Sequence, residues 1–545
     1  MKKILWKASH TGGTRQRTAE PASQQSSCNR QGPGRPSRLL LLPYLLAFFL
    51  LLGGSVAWAD TLRVIVMFRD GTSTWTQQKL ITQSGGRVVT WFPVVNAVVL
   101  ELPTGPLLGT VSSLTNTLGL GSLLTSTVST VETAFSFLSS RLGLEIEALE
   151  VDFYISPANG PTSLVTPVTP LPLKGGYRWN LRQIALDEVN WQVQGQGVHV
   201  AVLDTGIDAS HPLLAGRVGN SYNARIYEDD KTDYLDRSGH GTHVAGIIAA
   251  AAGAPGPSEV MRGIASGVTL HAVRVLDENG SGYLTDLISG LVWVYQQPYI
   301  RVVNMSLGSP NGSRVVEKII KKLYDAGVVL VASAGNCTAT TTSGTGGAGE
   351  GGDGEGGDSG TSNQGCQQQE VKYPAAYWRT IAVGATDVDA QVAYYSIAGS
   401  YVDVVAPGGT RQKGQVVSTN TTVSAGTASA TTSSADSSGL AANGEGGDGE
   451  GGDGEGGDGE GGDGEGGDGT TGGTGLYALG RGTSQAAPHV TGVVALMQSV
   501  NPWLTPAQVR TILQETAVDL GAPAAAQGAG LIDAARAVER AKSWR

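Results

Sequence analysis

The chain has 545 residues, and its hydrophobic content of 40% is enough to bury the core of one large domain with accessory segments. Its formal charge of −10 is unevenly placed, because seven copies of Gly-Glu-Gly-Gly-Asp carry 14 carboxylates and the first 59 residues carry a net charge of +7. The rest is nearly neutral, which excludes a basic surface for nucleic acid and a strong field that steers a charged partner.

The N-terminus has the pattern of an export signal. Lys2 and further basic residues precede the apolar run Leu39 to Leu52, which is followed by the small-x-small site ending at Ala59. The alternative is a membrane anchor, although 14 residues interrupted by Pro43 are short for a bilayer. We expect residues 1–59 to be a signal peptide cleaved near Ala59, and the mature protein to be secreted, extracellular or periplasmic, without a stable membrane anchor.

Residues 60–157 form a second segment with a small α+β pattern. Alternating and aromatic-rich runs predict strands, and one polar stretch predicts a helix. The strands are predicted at Thr61–Phe68, on both sides of Asn96 within residues 86–102, and at Ala148–Tyr154, with the helix at Thr76–Ser84. A Leu/Ser/Thr-rich insertion over residues 103–143 has no place in this pattern.

Residues 158–545 alternate buried strands with helices. The nearly continuous apolar strands lie at 197–203, 270–276, 302–306 and 327–333, and the helices at 242–252 and 284–295. This alternation is typical of a parallel sheet covered on both faces, so the predicted fold class is α/β with a mostly parallel central sheet.

Two acidic, Gly-rich insertions at 338–369 and 423–474 interrupt this pattern. They have too few apolar residues to offset the entropy of ordering and are predicted to be mobile surface loops. Weak calcium binding by their carboxylates is the alternative to a plain solvated linker. Cys337 and Cys366 bracket the first insertion, and in an exported protein we expect them to form a disulfide; two free buried thiols are the alternative.

Three motifs carry residues suited to nucleophilic catalysis. Asp204 ends a buried strand in Val-Leu-Asp-Thr-Gly, His240 opens a helix in Ser-Gly-His-Gly-Thr-His, and Ser484 stands in Gly-Thr-Ser-Gln-Ala-Ala-Pro. An aspartate orients a histidine, and the histidine takes the proton of a serine nucleophile. Each fragment alone has an ordinary structural reading, so the prediction depends on their joint occurrence. Ser484 is expected at a helix N-terminus, with Pro488 in the first turn.

In chain order these residues are Asp, His and Ser, and together with the whole motifs around them they resemble the subtilisin family over residues 179–541. The resemblance implies a three-layer catalytic domain and a serine endopeptidase. It also implies that Asn336, in Ala-Ser-Ala-Gly-Asn after a strand, holds the oxyanion; without the family, Asn336 reads as a turn residue. The segment 60–157 resembles the family's propeptide, which implies a self-processing zymogen whose propeptide is an intramolecular inhibitor.

The resemblance also implies substrate-binding residues. Segments of this kind pair with an extended substrate as an added strand, a mode that tolerates many sequences, so we expect broad specificity. The candidates are Ser306, Leu307 and Gly308, then Gly280, Ser281 and Gly282, and finally Ala332, Ser333, Ala334 and Gly335. His211, His243 and His489 lie near the motifs and are interpreted as structural.

The chain departs from the family where many relatives bind calcium. Leu213 stands where they carry a calcium-binding Asp, and residues 254–262 lack the usual Asn-rich loop. We expect no cofactor for the chemistry, and structural calcium elsewhere stays open, with no metal site assigned. The expected partners are protein or peptide substrates, and the protein is expected to be a monomer.

Two other function classes are alternatives to the protease. A catalytically inactive secreted binding scaffold is the alternative to the enzyme, although no triad or oxyanion residue is lost. A lipase-like hydrolase needs its serine before the aspartate and histidine, which is the reverse of the order here.

Overall fold

The computed structural model describes residues 61–103, 145–157, 166–167, 178–251, 261–337, 372–410, 413–422 and 476–544. The predicted signal peptide, residues 104–143 of the Leu/Ser/Thr-rich insertion, both acidic insertions and Cys366 lie outside the described residues.

The N-terminal domain is a four-stranded antiparallel sheet with the strand order β2-β3-β1-β4. The first strand lies at the predicted residues, and Asn96 makes the tight link between two strands with a φ of 57°, a conformation that Asn tolerates. The single strand predicted at 148–154 is wrong, because the strand is interrupted at residues 152–153 and the chain continues as a separate strand, β5 (Tyr154–Pro157). The elements are β1 Thr61–Phe68, α1 Thr74–Ser84, β2 Arg87–Phe92, β3 Ala97–Pro103, β4 Ile146–Val151 and β5 Tyr154–Pro157.

The central sheet has seven strands in the order β15-β14-β13-β11-β7-β9-β8, and neighbouring strands pair in parallel. Its strands are rich in Val, Ile and Ala and buried on both sides, as expected for a covered parallel sheet. The predicted α/β class is confirmed. The strands are β7 His199–Asp204, β8 Tyr222–Asn223, β9 Thr269–Arg274, β11 Ile300–Met305, β13 Val329–Ser333, β14 Thr380–Thr386 and β15 Val404–Pro407.

Helices cover the sheet, and one of the two predicted helices has the predicted bounds, Leu284–Tyr295. The helix predicted at 242–252 begins earlier, at His240, and ends at Ala249. The helices are α2 Trp179–Gln183, α3 His240–Ala249, α4 Leu284–Tyr295, α5 Arg314–Asp325, α6 Thr483–Val500, α7 Pro506–Thr516, α8 Ala524–Gln527 and α9 Ala534–Ser543. None of the helices in the described part of the chain is long and apolar enough to cross a membrane.

Alternate residues of β7 point to opposite faces of the sheet and belong to different hydrophobic cores. Val200 and Val202 lie in one core with α3 and α6, on what we call the first face. Ala201 and Leu203 lie in the other core with α4 and α5, on the second face. Apolar residues of the N-terminal domain join that second core, so the domain packs on the second face.

Strand β7 lies between β9 and β11. The chain therefore forms β8 and β9 on one side of β7 and β11 on its other side. Such a switch point opens a crevice at the carboxyl ends of the strands. Short strands line this crevice in a three-stranded sheet of order β10-β5-β12, where β10 is Gly282–Tyr283 and β12 is Leu307–Gly308. A second small sheet has the order β16-β17-β6, made of Val416–Thr419, Tyr477–Gly480 and Thr166–Pro167.

Candidate active site

Asp204 and His240 are in direct contact at the carboxyl edge of the sheet. Asp204 is the last residue of β7 and His240 is the first of α3, and the Nδ1 atom of His240 lies 2.7 Å from Oδ1 of Asp204. Both side chains are buried. Burial by itself lowers the pKa of His240, but the Asp204 carboxylate outweighs it, so that the pKa of His240 is raised. The Asp204 carboxylate accepts this hydrogen bond, so Nδ1 of His240 carries the proton. In the neutral ring Nε2 is then the basic nitrogen.

Two glycines allow this contact. A Cβ on Gly241 would lie 2.1 Å from the carbonyl oxygen of Gly206, and Gly206 itself has a φ of 114°. A side chain at either position would therefore push the start of α3 away from the end of β7.

Asp236 stabilises the contact between the end of β7 and the start of α3, and it was not identified from the sequence. Its fully buried carboxylate accepts hydrogen bonds from the backbone N–H groups of Gly239 and Thr242 and from the hydroxyl of Thr205. The Thr205 hydroxyl in turn accepts from the N–H of Gly241. The N-cap of α3 is Gly239, so Asp236 lies three residues before the cap position and no local capping pattern identifies it.

Ser484 is the second residue of α6, as its predicted place at a helix N-terminus requires. Its hydroxyl donates to the carbonyl of Ser306 at 3.2 Å, and the Ser306 hydroxyl donates to the carbonyl of Ser484 at 2.9 Å. Pro488 is not in the first turn, which corrects that prediction. Because Pro488 has no N–H, the Ser484 carbonyl four residues earlier loses its helical donor, and Ser306 replaces it.

Among the residues that the structure describes, Ser484 and His240 form no hydrogen bond with each other. Within the described part of the chain, Nε2 of His240 is buried without a hydrogen-bond partner. The helices that carry the two residues, α3 and α6, pack against each other. Catalytic hydrogen bonds are often long or misaligned without substrate and tighten in its presence, so the open Nε2 is the nitrogen available to a proton from a nucleophile.

Asn336 follows β13 and lies against the residue before Ser484. Its Oδ1 accepts hydrogen bonds from the backbone N–H of Thr483 at 3.0 Å and from the Thr483 hydroxyl at 2.9 Å. A backbone N–H can only donate, so the oxygen of the amide must face Thr483 and the NH₂ group is left to donate elsewhere. Thr483 was not identified from the sequence, where it reads only as part of a Gly-Thr-Ser run.

The predicted substrate-binding residues divide into two groups. Gly282, Leu307 and Gly308 pair with β5, and Ser306 bonds Ser484. A Cβ on Gly280 would lie 3.1 Å from the ring of Pro157, so this glycine also faces β5. The Ser281 carbonyl accepts from Asp277 and Arg225 instead.

The segment from Ala332 to Gly335 belongs to the sheet and its edge. Ala332 and Ser333 pair along β14, and the N–H of Ala334 donates to Val383. Gly335 donates its N–H to the Thr483 hydroxyl. These residues are buried directly before Asn336, and they contact the central sheet and, through Gly335, Thr483 of α6.

The three other histidines near the motifs have structural contacts. Nε2 of His243 lies 3.2 Å from the carbonyls of Val416 and Ala478, and burial lowers the pKa of His243 to about 3. Burial also lowers the pKa of His489 to about 4 and lowers the pKa of His211. These imidazoles are therefore neutral at ordinary pH.

The surroundings of Leu213 are apolar. Leu213 is buried with Ala250 and Met261, and Tyr477 packs against the three. Among the residues that the structure describes, no group of three or more His, Cys, Asp or Glu is arranged to hold a metal ion. Most of the segment 254–262 lies outside them.

Cys337 is disulfide-bonded and its side chain is largely buried. Its predicted partner, Cys366, lies outside the described residues, so the pairing of the two stays a prediction.

Comparison with known proteins identifies the family. The model of the subtilase family matches residues 195–530. Subtilisin amylosacchariticus of Bacillus subtilis subsp. amylosacchariticus is 34% identical over 327 residues, which are 60% of this chain and 62% of that protein. Subtilisin of Bacillus pumilus is 34% identical over 345 residues, which are 63% of this chain and 92% of that protein.

A solved structure supports the same fold. Fervidolysin from Fervidobacterium pennivorans, described as a keratinolytic enzyme related to subtilisin, superposes with a TM-score of 0.58 at 23% identity, covering 89% of this chain and 62% of that one. The chain thus spans about 62% of the length of fervidolysin and of the first subtilisin above. With a family match over more than half of its residues, the chain belongs to the subtilase family, whose members are subtilisin-like serine proteases.

Proposed function

We propose that the chain is a secreted serine endopeptidase that is made as a self-processing zymogen. The observation that carries this proposal is the position of β5, which lies antiparallel between β10 and β12 as an extended peptide. Pro157 pairs with Leu307, and the carbonyl of the neighbouring Ser306 accepts a hydrogen bond from the Ser484 hydroxyl. A peptide in this cleft therefore leads from β5 directly towards the nucleophile.

In the proposed reaction, Ser484 Oγ attacks the carbonyl carbon of a peptide bond. Its proton passes to Nε2 of His240, and Asp204 stabilises the imidazolium that forms. The proton then goes to the leaving amine as the C–N bond breaks, which leaves an ester on Ser484. Water hydrolyses this acyl-enzyme, again with His240 as the base.

The tetrahedral oxyanion needs donors that are in place before the reaction. The Asn336 amide is oriented by Thr483, with its NH₂ group free to donate. The backbone N–H of Ser484 lies in the first turn of α6, where N–H groups lack helical acceptors. We assign these two groups to the oxyanion, so that the mechanism uses only groups of the chain itself.

The N-terminal domain is proposed to be the inhibitor of the enzyme before processing. Glu150 accepts from the Ser313 hydroxyl at 2.6 Å and from the N–H of Arg314 at 2.7 Å, at the start of α5. Asp152 accepts from the N–H and hydroxyl of Thr285 at 2.9 Å, at the start of α4. Carboxylates at helix N-termini are favourable partners, so these contacts hold β5 in the cleft.

The register of β5 predicts the bond that is cut. Pro157 is paired with Leu307, and the residue before Leu307 is the one that contacts Ser484. If the antiparallel register continues by one pair, the residue after Pro157 faces Ser306, beside the nucleophile. We therefore expect self-cleavage after Ala158, so that the mature N-terminus is Asn159; both residues lie outside the described ones.

Casein hydrolysis by the secreted full chain tests the proposed activity. A serine-directed sulfonyl fluoride and the Ser484→Ala variant are both expected to abolish it. Ser499→Ala is the matched control, because Ser499 lies on the same helix and its hydroxyl donates to the Leu496 carbonyl of that helix. An unchanged rate in Ser484→Ala would falsify the assignment.

N-terminal sequencing and mass of the secreted product test the zymogen. The active chain is expected to begin at Asn159, and Ser484→Ala is expected to keep residues 60–158. Identical N-termini in the two proteins would contradict self-processing.

A further inference from the structure

Two tyrosines of the catalytic domain form an aromatic site beside the cleft. Tyr283 ends β10, and Tyr227 lies in the loop after β8; their ring centroids are 6.5 Å apart and the rings are nearly perpendicular, at 73°. The buried carboxylate of Asp286 fixes both chain segments, because it accepts from the N–H of Tyr283 at 3.0 Å and from the N–H of Ile226 at 2.8 Å. The two rings are therefore positioned by the catalytic domain itself.

The N-terminal domain places an arginine on these rings. The guanidinium carbon of Arg63 lies 4.3 Å from the centroid of Tyr227 and 4.0 Å from that of Tyr283. Its Nη1 donates to Asp152 at 2.8 Å, so the charge is paired as well as stacked. Geometry of this kind is a favourable cation–π contact.

Strand β5 places a second side chain on the same site. Tyr154 is the register partner of Tyr283, its ring centroid lies 4.6 Å from that of Tyr283, and the two hydroxyl oxygens are 2.8 Å apart. Tyr154 is still 65% exposed, so core burial does not account for its position. The ring contact with Tyr283 is what its side chain gains there.

We propose that Tyr283 and Tyr227 form a subsite for the fifth residue upstream of the cleaved bond, and that this subsite takes an aromatic or an arginine side chain. Tyr154 is that fifth residue if the chain is cut after Ala158, so the inference rests on the proposed function. When the N-terminal domain leaves, Arg63, Asp152 and Tyr154 leave with it. The two rings stay beside the strand that receives substrate, and the negative face of an aromatic ring favours a cation over an anion.

The test is a series of quenched fluorescent peptides that differ only in the fifth upstream residue, which is Tyr, Arg, Gly or Glu. They are cleaved with the self-processed wild-type protein. We expect kcat/KM for the Tyr and Arg peptides to exceed that for the Gly peptide by about 2- to 10-fold, with the Glu peptide slowest. Equal values for all four contradict the subsite and leave the protease intact, whereas cleavage of none contradicts the proposed function.

Variants assign the preference to the two rings. Tyr283→Ala is expected to bring the Tyr/Gly and Arg/Gly ratios close to one. Tyr227→Ala is expected to lower mainly the Arg/Gly ratio, because Tyr227 contacts Arg63 whereas Tyr154 stacks on Tyr283. If Tyr283→Ala does not mature, the Arg/Gly ratio of Tyr227→Ala alone tests the subsite. Tyr295→Ala is the control, since Tyr295 ends α4 at the far end from the cleft and is half-exposed. Ratios unchanged in both Tyr283→Ala and Tyr227→Ala contradict the proposal.

Discussion

The two faces of the central sheet use helix N-termini in different ways. On the first face, α3 begins with His240 and α6 begins with Thr483 and Ser484, so these helix starts carry the proposed chemistry. On the second face, the starts of α4 and α5 are bonded by Asp152 and Glu150 of the N-terminal domain. N–H groups at helix starts are thus proposed to bind an oxyanion on one face, and they bind carboxylates of the chain's own first domain on the other.

This difference predicts that the two faces can be disabled separately. Changes on the first face should remove catalysis and leave the N-terminal domain attached. Changes on the second face should loosen the N-terminal domain without altering the catalytic groups.

The largest expected effect is that of Asp204→Asn, on the first face. The amide no longer holds His240 in the tautomer with the proton on Nδ1, and the imidazolium loses its carboxylate. We expect kcat to fall by about 10⁴-fold, the scale known for a triad aspartate. Steady-state kinetics on a peptide substrate measure it, with Asp187→Asn, a partly exposed surface carboxylate, as control. A loss below about 10-fold would contradict the assignment.

The next effect is that of Asn336→Ala, which removes one oxyanion donor. We expect a fall in kcat of roughly 10²- to 10³-fold with little change in KM, a range that was measured in subtilisin, a relative, and is carried over here. Asn190→Ala is the control, because the Asn190 side chain only caps a surface loop by accepting from the N–H of Gln192 among the described contacts. A change confined to KM would show that Asn336 binds substrate rather than the transition state.

The pH profile follows from the pKa of His240. The base must be neutral to accept the serine proton, and the carboxylate of Asp204 raises the pKa of His240 above its ordinary 6.5. We therefore expect kcat/KM to fall about tenfold per pH unit on the acid side, with a midpoint above pH 6.5. His243, with a pKa of about 3, stays neutral throughout. A midpoint well below 6.5 would contradict the charge pairing.

The smallest effect concerns the second face. Glu150→Ala leaves the Ser313 hydroxyl and the N–H of Arg314 without their acceptor, which costs about 1 to 3 kcal/mol. We expect faster hydrogen exchange over residues 61–103 in the uncleaved Ser484→Ala protein. Glu147 lies on the same strand as Glu150 and forms a surface ion pair with Lys318. Glu147→Ala removes this ion pair and should lower the stability of the uncleaved protein by about 0 to 1 kcal/mol. Equal effects of the two changes would contradict the role of the buried cap.

Sequence patterns predicted what is local. Continuous apolar runs predicted β7, β9, β11 and β13. The contacts between distant residues were beyond such patterns, because periodicity carries no information on which elements meet. The bond between Glu150 and Ser313 joins residues 163 apart, and that between Ser306 and Ser484 joins residues 178 apart.

The break at Asp152 has the same cause. The run from Ala148 to Tyr154 reads as one strand, since its polar and apolar residues give no sign of an interruption. At this interruption the Asp152 side chain bonds Thr285 of another element, and such a tertiary contact overrides the local pattern. Likewise, the chemistry of proline is compatible with a place for Pro488 in the first turn of a helix. Only the start of α6 at Thr483 shows that Pro488 lies beyond that turn, where it leaves the Ser484 carbonyl without its helical donor.

Identifying the serine that reacts tests the central claim most directly. The secreted protein is treated with a serine-directed phosphonate, digested and mapped by mass spectrometry. We predict one adduct, on Ser484, formed in proportion to the loss of casein hydrolysis and strongly slowed in Asp204→Asn. An adduct on another serine, or full loss of activity with Ser484 unmodified, would contradict the account.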